Sequence, residues 1–262
     1  MIKPWKIAPV AALALIGVAG CSGDFLSGGQ LSTDPNRPTS ASAQQLLGGV
    51  QSNLWAYWGS DPARVTGMWV QQFQGLISQY VSLYQYAHDE TTTNGFHQGL
   101  YSGGGLVDLK KADSLATIAN DKHTLGVGEI MEGALMGTGA DMFGDLVYSQ
   151  ALQGKSNPTL DKQQAVYDSV QKVLSAGIAN MASNNPTDVG PGQYDQNYNG
   201  NPAAWTKLAH TLKARFYMHT AKVDGTAAYT SALAEAKLGL NDPSLDDKGV
   251  FQASRLAETN FY

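Results

Sequence analysis

Asp141 and Asp145 stand four residues apart, a spacing that places two carboxylates on one face of a helix, where they could share a proton. Dividing acid and base roles also needs burial, and carboxylates at helix ends are common without it, so this pair reads as structural. The histidines are His88, His97, His123, His210 and His219. None sits in an H-E-x-x-H motif and none has a cysteine partner, so they read as surface or packing residues. The run DQNYNGN, 195–201, opens like a calcium loop, with Asp195, Asn197, Asn199 and Gly200 in the first half of the EF-hand pattern. Its twelfth position is Thr206, where a bidentate glutamate is needed, and Pro202 and Ala203 bring no side-chain oxygen. A turn with left-handed Asn and Gly is the better reading. The triple glycine at 103–105 lacks the lysine of a phosphate loop and reads as a turn too.

Stacking is the chemistry that remains. Trp55, Tyr57, Trp58, Trp69, Tyr80, Tyr84, Tyr86, Phe96 and Tyr101 are gathered in one part of the chain. Sugar rings lay their C–H faces on aromatic planes while nearby amides and hydroxyls bond their hydroxyl groups. Most of these aromatics fall on helical stripes and read as core. Those in or beside the irregular segment from Tyr84 to Tyr101 are the ones a loop could expose to a ligand.

The sole cysteine, Cys21, sits in LIGVAGCSGD. Before it come a start carrying Lys3 and Lys6, the short apolar core IAPVAALALIGV, and small residues. That is the layout of a secretory signal over residues 1–20, with a core too short to span a bilayer. Val18-Ala19-Gly20-Cys21 resembles the lipobox of bacterial lipoproteins, in which the cysteine sulfur is acylated and becomes the new N-terminus. Lipidation of Cys21 is therefore expected, and with it a protein held on a membrane it does not cross. It would leave no free thiol for a disulfide, a nucleophile or a metal.

The formal charge is −5, and 15% of residues are charged, below the roughly 25% of an average soluble chain. A mildly acidic chain without a basic cluster is a poor nucleic-acid binder. Residues 21–41, rich in Gly, Ser and Pro, read as a flexible tether, and 42–262 as one helical domain. Leu46, Leu47, Val50, Leu54 and Trp58 recur at helical spacing. A second helix is expected over 61–86, with Val65, Trp69, Phe73, Leu76, Ile77, Tyr80 and Tyr84 on its stripe. A helix over 123–142 carries Gly126, Gly128, Gly133, Gly137 and Gly139, each costing about 1 kcal/mol against alanine, so it needs neighbours packed onto its backbone. Asp161 is placed to cap the next helix. Asn201 and Pro202 open another that runs to about Lys222, and a last one covers 226–238 before Gly239. No stretch alternates as a strand does. The expected fold is all-α, built of antiparallel helix pairs.

DPNRPTSAS, DMFGDLVYSQAL, LDKQQAVYDSVQKVL and YNGNPAAWTKLAHTLKARFYMHTAKVD follow one another in the order found in the SusD/RagB family of nutrient-binding outer-membrane lipoproteins. The chain resembles that family over nearly all of its length behind the signal, with Val147 and His210 departing from the usual proline and asparagine. The resemblance implies tetratricopeptide-like helix pairs forming a superhelical scaffold with long loops. It implies no catalytic residues and no cofactor. It also implies a role in binding oligosaccharides or other nutrients and passing them to a TonB-dependent barrel transporter. By position, the family's aromatic platform falls nearest Tyr84, Tyr86, Phe96 and Tyr101. Family members continue well past the length reached here, so an N-terminal portion of a longer protein is expected. A peptide- or protein-binding adaptor on the same scaffold is the alternative. A surface hydrolase is the weakest reading, since no nucleophile, metal set or carboxylate pair emerges.

Overall fold

The computed structural model describes residues 40–87, 89 and 91–246. Cys21, the 1–20 signal and nearly all of the 21–41 tether lie outside the described residues. So do His88 and the segment 247–262. Ten α-helices form the described part: α1 (Ala43–Trp58), α2 (Asp61–Trp69), α3 (Gln79–Tyr84), α4 (Asn94–Tyr101), α5 (Leu106–Ala119), α6 (Lys122–Phe143), α7 (Gln163–Met181), α8 (Pro202–His219), α9 (Ala221–Asp224) and α10 (Thr226–Ala236). No strand occurs among them, only an isolated antiparallel bridge between Leu146 and Asp161. The all-α expectation holds.

Helix packs on helix in series: α1 on α5, α5 on α6, α6 on α7, α7 on α8 and α8 on α10. Short connections make neighbours antiparallel, as between α5 and α6, where only Asn120 and Asp121 intervene. The glycine-rich α6 lies at the centre and is buried over most of its length. A methyl group at Gly137 would run into the Phe216 ring, and one at Gly133 into Leu174. Gly126 and Gly177 let α6 and α7 meet backbone to backbone. The cost of glycine in a helix is offset here by close packing. Around α6 the core gathers Leu47, Val50, Leu109, Ile130, Leu135, Val170, Leu174, Trp205 and Phe216.

Caps confirm part of the sequence reading and correct part of it. Asn201 Oδ1 accepts from the N–H groups of Ala203 and Ala204 at 3.0 and 3.3 Å, with Pro202 in the first turn. Asn201→Ala is expected to destabilise by about 1 kcal/mol, measured as a lower urea midpoint at unchanged slope. Asp161 does not cap α7. Its carboxylate turns back and accepts from the Tyr148 and Ser149 N–H groups at 2.9 and 2.6 Å and from Ser149 Oγ at 2.6 Å. Asp145 takes over the cap, accepting from Gln163 N–H at 2.9 Å while Lys162 pairs with it at 2.9 Å. The DMFGDLVYSQAL block thus closes a loop on the start of α7. The helix expected to reach Lys222 ends at His219, and α9 follows as a separate turn.

The largest correction concerns 61–86. Helix α2 ends at Trp69, and α3 begins only at Gln79. The Phe73 ring folds back over Gly67, and the N–H groups of Gln72 and Phe73 both donate to the Gly67 carbonyl at 2.8 and 3.2 Å. Gln71 and Ser78 take left-handed backbone, at φ 62° and 53°. The stripe had the right period, yet Leu76 and Ile77 stand exposed and Phe73 turns back onto Gly67. Helices in water depend on tertiary packing more than on propensity.

Candidate functional site

Beside the main core lies a smaller one, formed by Val65 and Met68 of α2, Leu83 of α3 and Phe96 of α4. Tyr57 Oη donates to the Phe96 carbonyl at 2.8 Å and so ties α4 to α1. Above this core opens a cleft of about 510 Å³ lined by Val65, Gln79, Tyr80, Ser82, Leu83, Ala87, Asp89, Thr91, Thr92 and Phe96. Volumes of this order accommodate small ligands. The floor is apolar and partly aromatic, while the rim carries an amide, hydroxyls and one carboxylate.

Tyr80 and Asp89 are held in place. Arg64 donates to Tyr80 Oη at 3.0 Å, and its guanidinium carbon lies 5.8 Å from the Tyr80 ring centroid, a cation–π contact. Asp89 Oδ1 accepts from the Thr91 hydroxyl at 2.7 Å, the Thr92 hydroxyl at 3.0 Å and the N–H groups of both threonines at 3.0 and 3.1 Å. Those hydroxyl bonds, that of Thr91 foremost, hold the Asp89 carboxyl below the usual carboxylate range. The group is a charged acceptor at neutral pH. A ring seated against Tyr80 and Phe96 would present its hydroxyls to Asp89, Gln79 and Ser82.

Of the four aromatics expected at a ligand platform, Phe96 alone lines this cleft. Phe96 is in its floor and 6% exposed, a core residue first. Tyr86 is exposed, but its hydroxyl donates to the Trp69 carbonyl at 3.1 Å. Tyr84 Oη donates to Gln71 Oε1 at 3.4 Å, and both tyrosines brace the 70–78 loop. Tyr101 lies in a separate cleft of about 350 Å³ with His97, Val147, Gln150 and Leu152, its ring 5.2 Å from that of His97. The rim residues Tyr80, Asp89, Thr91 and Thr92 were not singled out as ligand residues. Tyr80 was read as core on a helix that does not extend so far. The D-x-T-T spacing of Asp89, Thr91 and Thr92 is a local turn signature that could have marked a built loop.

The remaining polar candidates hold the scaffold. Asp141 accepts from Tyr167 Oη at 2.7 Å and pairs with His219 Nδ1 at 2.6 Å and Arg215 at 3.2 Å, far from sharing a proton with Asp145. His210 Nδ1 meets Glu235 at 2.5 Å, and His123 Nε2 meets the Ser183 carbonyl at 3.1 Å. Asp195 is 4% exposed and receives five N–H donors: Gln51 Nε2 at 2.9 Å, Trp205 Nε1 at 2.7 Å and the backbone of Asn197, Tyr198 and Gly200. Those donors face the carboxylate where a cation would need oxygens. Asn199 and Gly200 supply the left-handed turn, at φ 51° and 76°. Among the described residues no group of three or more His, Cys, Asp or Glu could hold a metal, and no helix is long and apolar enough to cross a membrane.

Comparison with known proteins gives a consistent answer. A family model described as SusD-like, starch-binding and associating with the outer membrane matches residues 35–256. A SusD/RagB family protein from Bacteroides thetaiotaomicron superposes with a TM-score of 0.70 at 22% identity, covering 79% of this chain and 44% of that one. A chitin-binding protein superposes with a TM-score of 0.65 at 23% identity, covering 77% of this chain and 44% of that one. A SusD homologue from Bacteroides fragilis gives 0.62 at 18% identity, over 82% and 45% of the two chains. The chain therefore spans under half the length of these solved structures, and likeness at such identity establishes fold alone. No relative is found among curated proteins. With the family model spanning most of the sequence and the same helical array in these neighbours, the chain belongs to the SusD/RagB family, whose model is described as starch-binding and associating with the outer membrane.

Proposed function

We infer that the protein binds a neutral oligosaccharide in the cleft over Tyr80 and Phe96. The observation that carries this reading is the cleft's make-up: an apolar, partly aromatic floor under a rim of hydroxyls, an amide and the braced Asp89 carboxylate. The floor suits the C–H face of a sugar ring and the rim suits its hydroxyls. The starch-binding description of the family supports a glycan as ligand. One solved neighbour is described as chitin-binding, which makes β-linked amino sugars a second panel to try. In this reading Cys21 is acylated, the protein faces outward on the outer membrane, and bound glycan passes to a TonB-dependent barrel. No step of chemistry is assigned to it.

The test is calorimetry of the full-length gene product against malto-oligosaccharides, chito-oligosaccharides and a peptide mixture. Tyr80→Ala is expected to weaken glycan binding at least about tenfold, the order lost with one stacking face. Its thermal midpoint should change little, because Tyr80 is only half-buried at the edge of the smaller core. Heat from peptides alone would favour the adaptor reading and overturn this one.

A further inference from the structure

From Val65 to Ala87 the chain holds no Asp, Glu, Lys, Arg or His. Within that stretch, the segment joining α2 to α3 turns three large apolar side chains outward: Val70 is 65% exposed, Leu76 71% and Ile77 71%, while the Phe73 ring lies back over Gly67. The segment is built and braced. Gly67 anchors it through two N–H groups, Gln71 Nε2 donates to Tyr86 Oη at 2.9 Å, and Tyr86 holds the end of α2. Left-handed backbone at Gln71 and Ser78 persists only where such contacts fix it. An apolar patch of this kind on a water-facing surface marks a partner or a bilayer.

Three observations favour the bilayer. The stretch carries no charge, so entry into the headgroup and acyl boundary meets no cost of burying one. Tyr84 and Tyr86 flank the apolar tip, and rings with one polar end settle at the membrane–water interface. The family associates with the outer membrane, so a lipid surface is at hand. We propose that the 70–78 loop is a membrane-contacting wedge, with Leu76, Ile77 and Val70 entering the lipid and the flanking Tyr84 and Tyr86 lying at headgroup depth.

Because the wedge is uncharged and the whole chain is acidic, its binding is indifferent to ionic strength and gains nothing from anionic lipid. The test is flotation of the full-length gene product bearing Cys21→Ser, which removes any acyl chain. The vesicles are phosphatidylcholine and phosphatidylethanolamine, with or without phosphatidylglycerol. The expected result is vesicle binding that stays the same from about 0.05 to about 0.5 M salt. Leu76→Asp with Ile77→Asp should lower the bound fraction at least about tenfold, with an unchanged thermal midpoint because both side chains face solvent. Absence of flotation, undiminished flotation of the double variant, loss of binding at high salt, or a patch-dependent dimer in lipid-free solution would each overturn the proposal. None of these outcomes depends on glycan affinity.

Discussion

Asp195→Ala is expected to remove on the order of 4 kcal/mol of stability, a large share of the 5–15 kcal/mol that holds a typical domain folded. The substitution deletes the acceptor for five N–H donors at a site that is 4% exposed. Each donor so stranded costs about 1–3 kcal/mol unless water reaches it, and the outer ones can relax toward solvent. The effect spreads because the donors come from far apart. Gln51 belongs to α1, Trp205 to α8, and the backbone donors to the turn that leads into α8. Asp195→Asn, which keeps one carbonyl oxygen, should cost about half as much. Urea unfolding separates the two. Equal midpoints for wild type and Asp195→Ala would show that the carboxylate does not join these elements.

Asp113→Asn should act in the opposite direction, and only on one side of the pH scale. Burial pushes the Asp113 carboxyl up to about 8, with Glu132 adding to the rise, Lys110 opposing it and Glu129 contributing least. Its Oδ1 is buried without a hydrogen-bond donor, against the open backbone of Gly128. The lysine that would neutralise it is spent on Glu132, which is 1% exposed, meets Lys110 Nζ at 2.6 Å and accepts from Tyr148 Oη at 2.7 Å. A folded-state pKa above the unfolded value means that stability is fully present below about pH 4 and declines as pH rises through about 8. The amide keeps the shape and removes the charge. Asp113→Asn is therefore expected to match wild type near pH 4 and exceed it by on the order of 3 kcal/mol near pH 8. Parallel stability curves for the two proteins across that range would contradict this.

What the sequence disclosed and what it hid divide along the range of the interactions. Local signals were legible: Asn201 and Pro202 opened α8, Asn199 and Gly200 made their turn, and the glycines of α6 announced a tightly packed helix. Long-range partners were not. Asp161 had the position of a cap, but Tyr148 and Ser149 draw its carboxylate back, and Asp145 caps from across the loop. Asp195 was weighed as a calcium ligand and left as a turn residue, because nothing near it in sequence points to Gln51. The 61–86 stripe shows the limit of periodicity: it measures spacing and is silent on whether a surface exists to pack against. Periodicity is equally silent on which aromatics come together in space. Tyr84 and Tyr86 are nearest the cleft in sequence yet spend their hydroxyls on Gln71 and Trp69, while Tyr80, read as core, faces the opening.

A neutral sugar is expected to lie over Tyr80 and Phe96 with its hydroxyls toward Asp89. The most direct measurement is a crystal structure of the full-length gene product soaked with the oligosaccharide that gives the largest calorimetric heat. The expected result is a pyranose ring stacked on Tyr80, with a hydroxyl within hydrogen-bond distance of the Asp89 carboxylate. Density for the sugar in the His97 and Tyr101 cleft instead, with the Tyr80 cleft empty at saturating ligand, would contradict it.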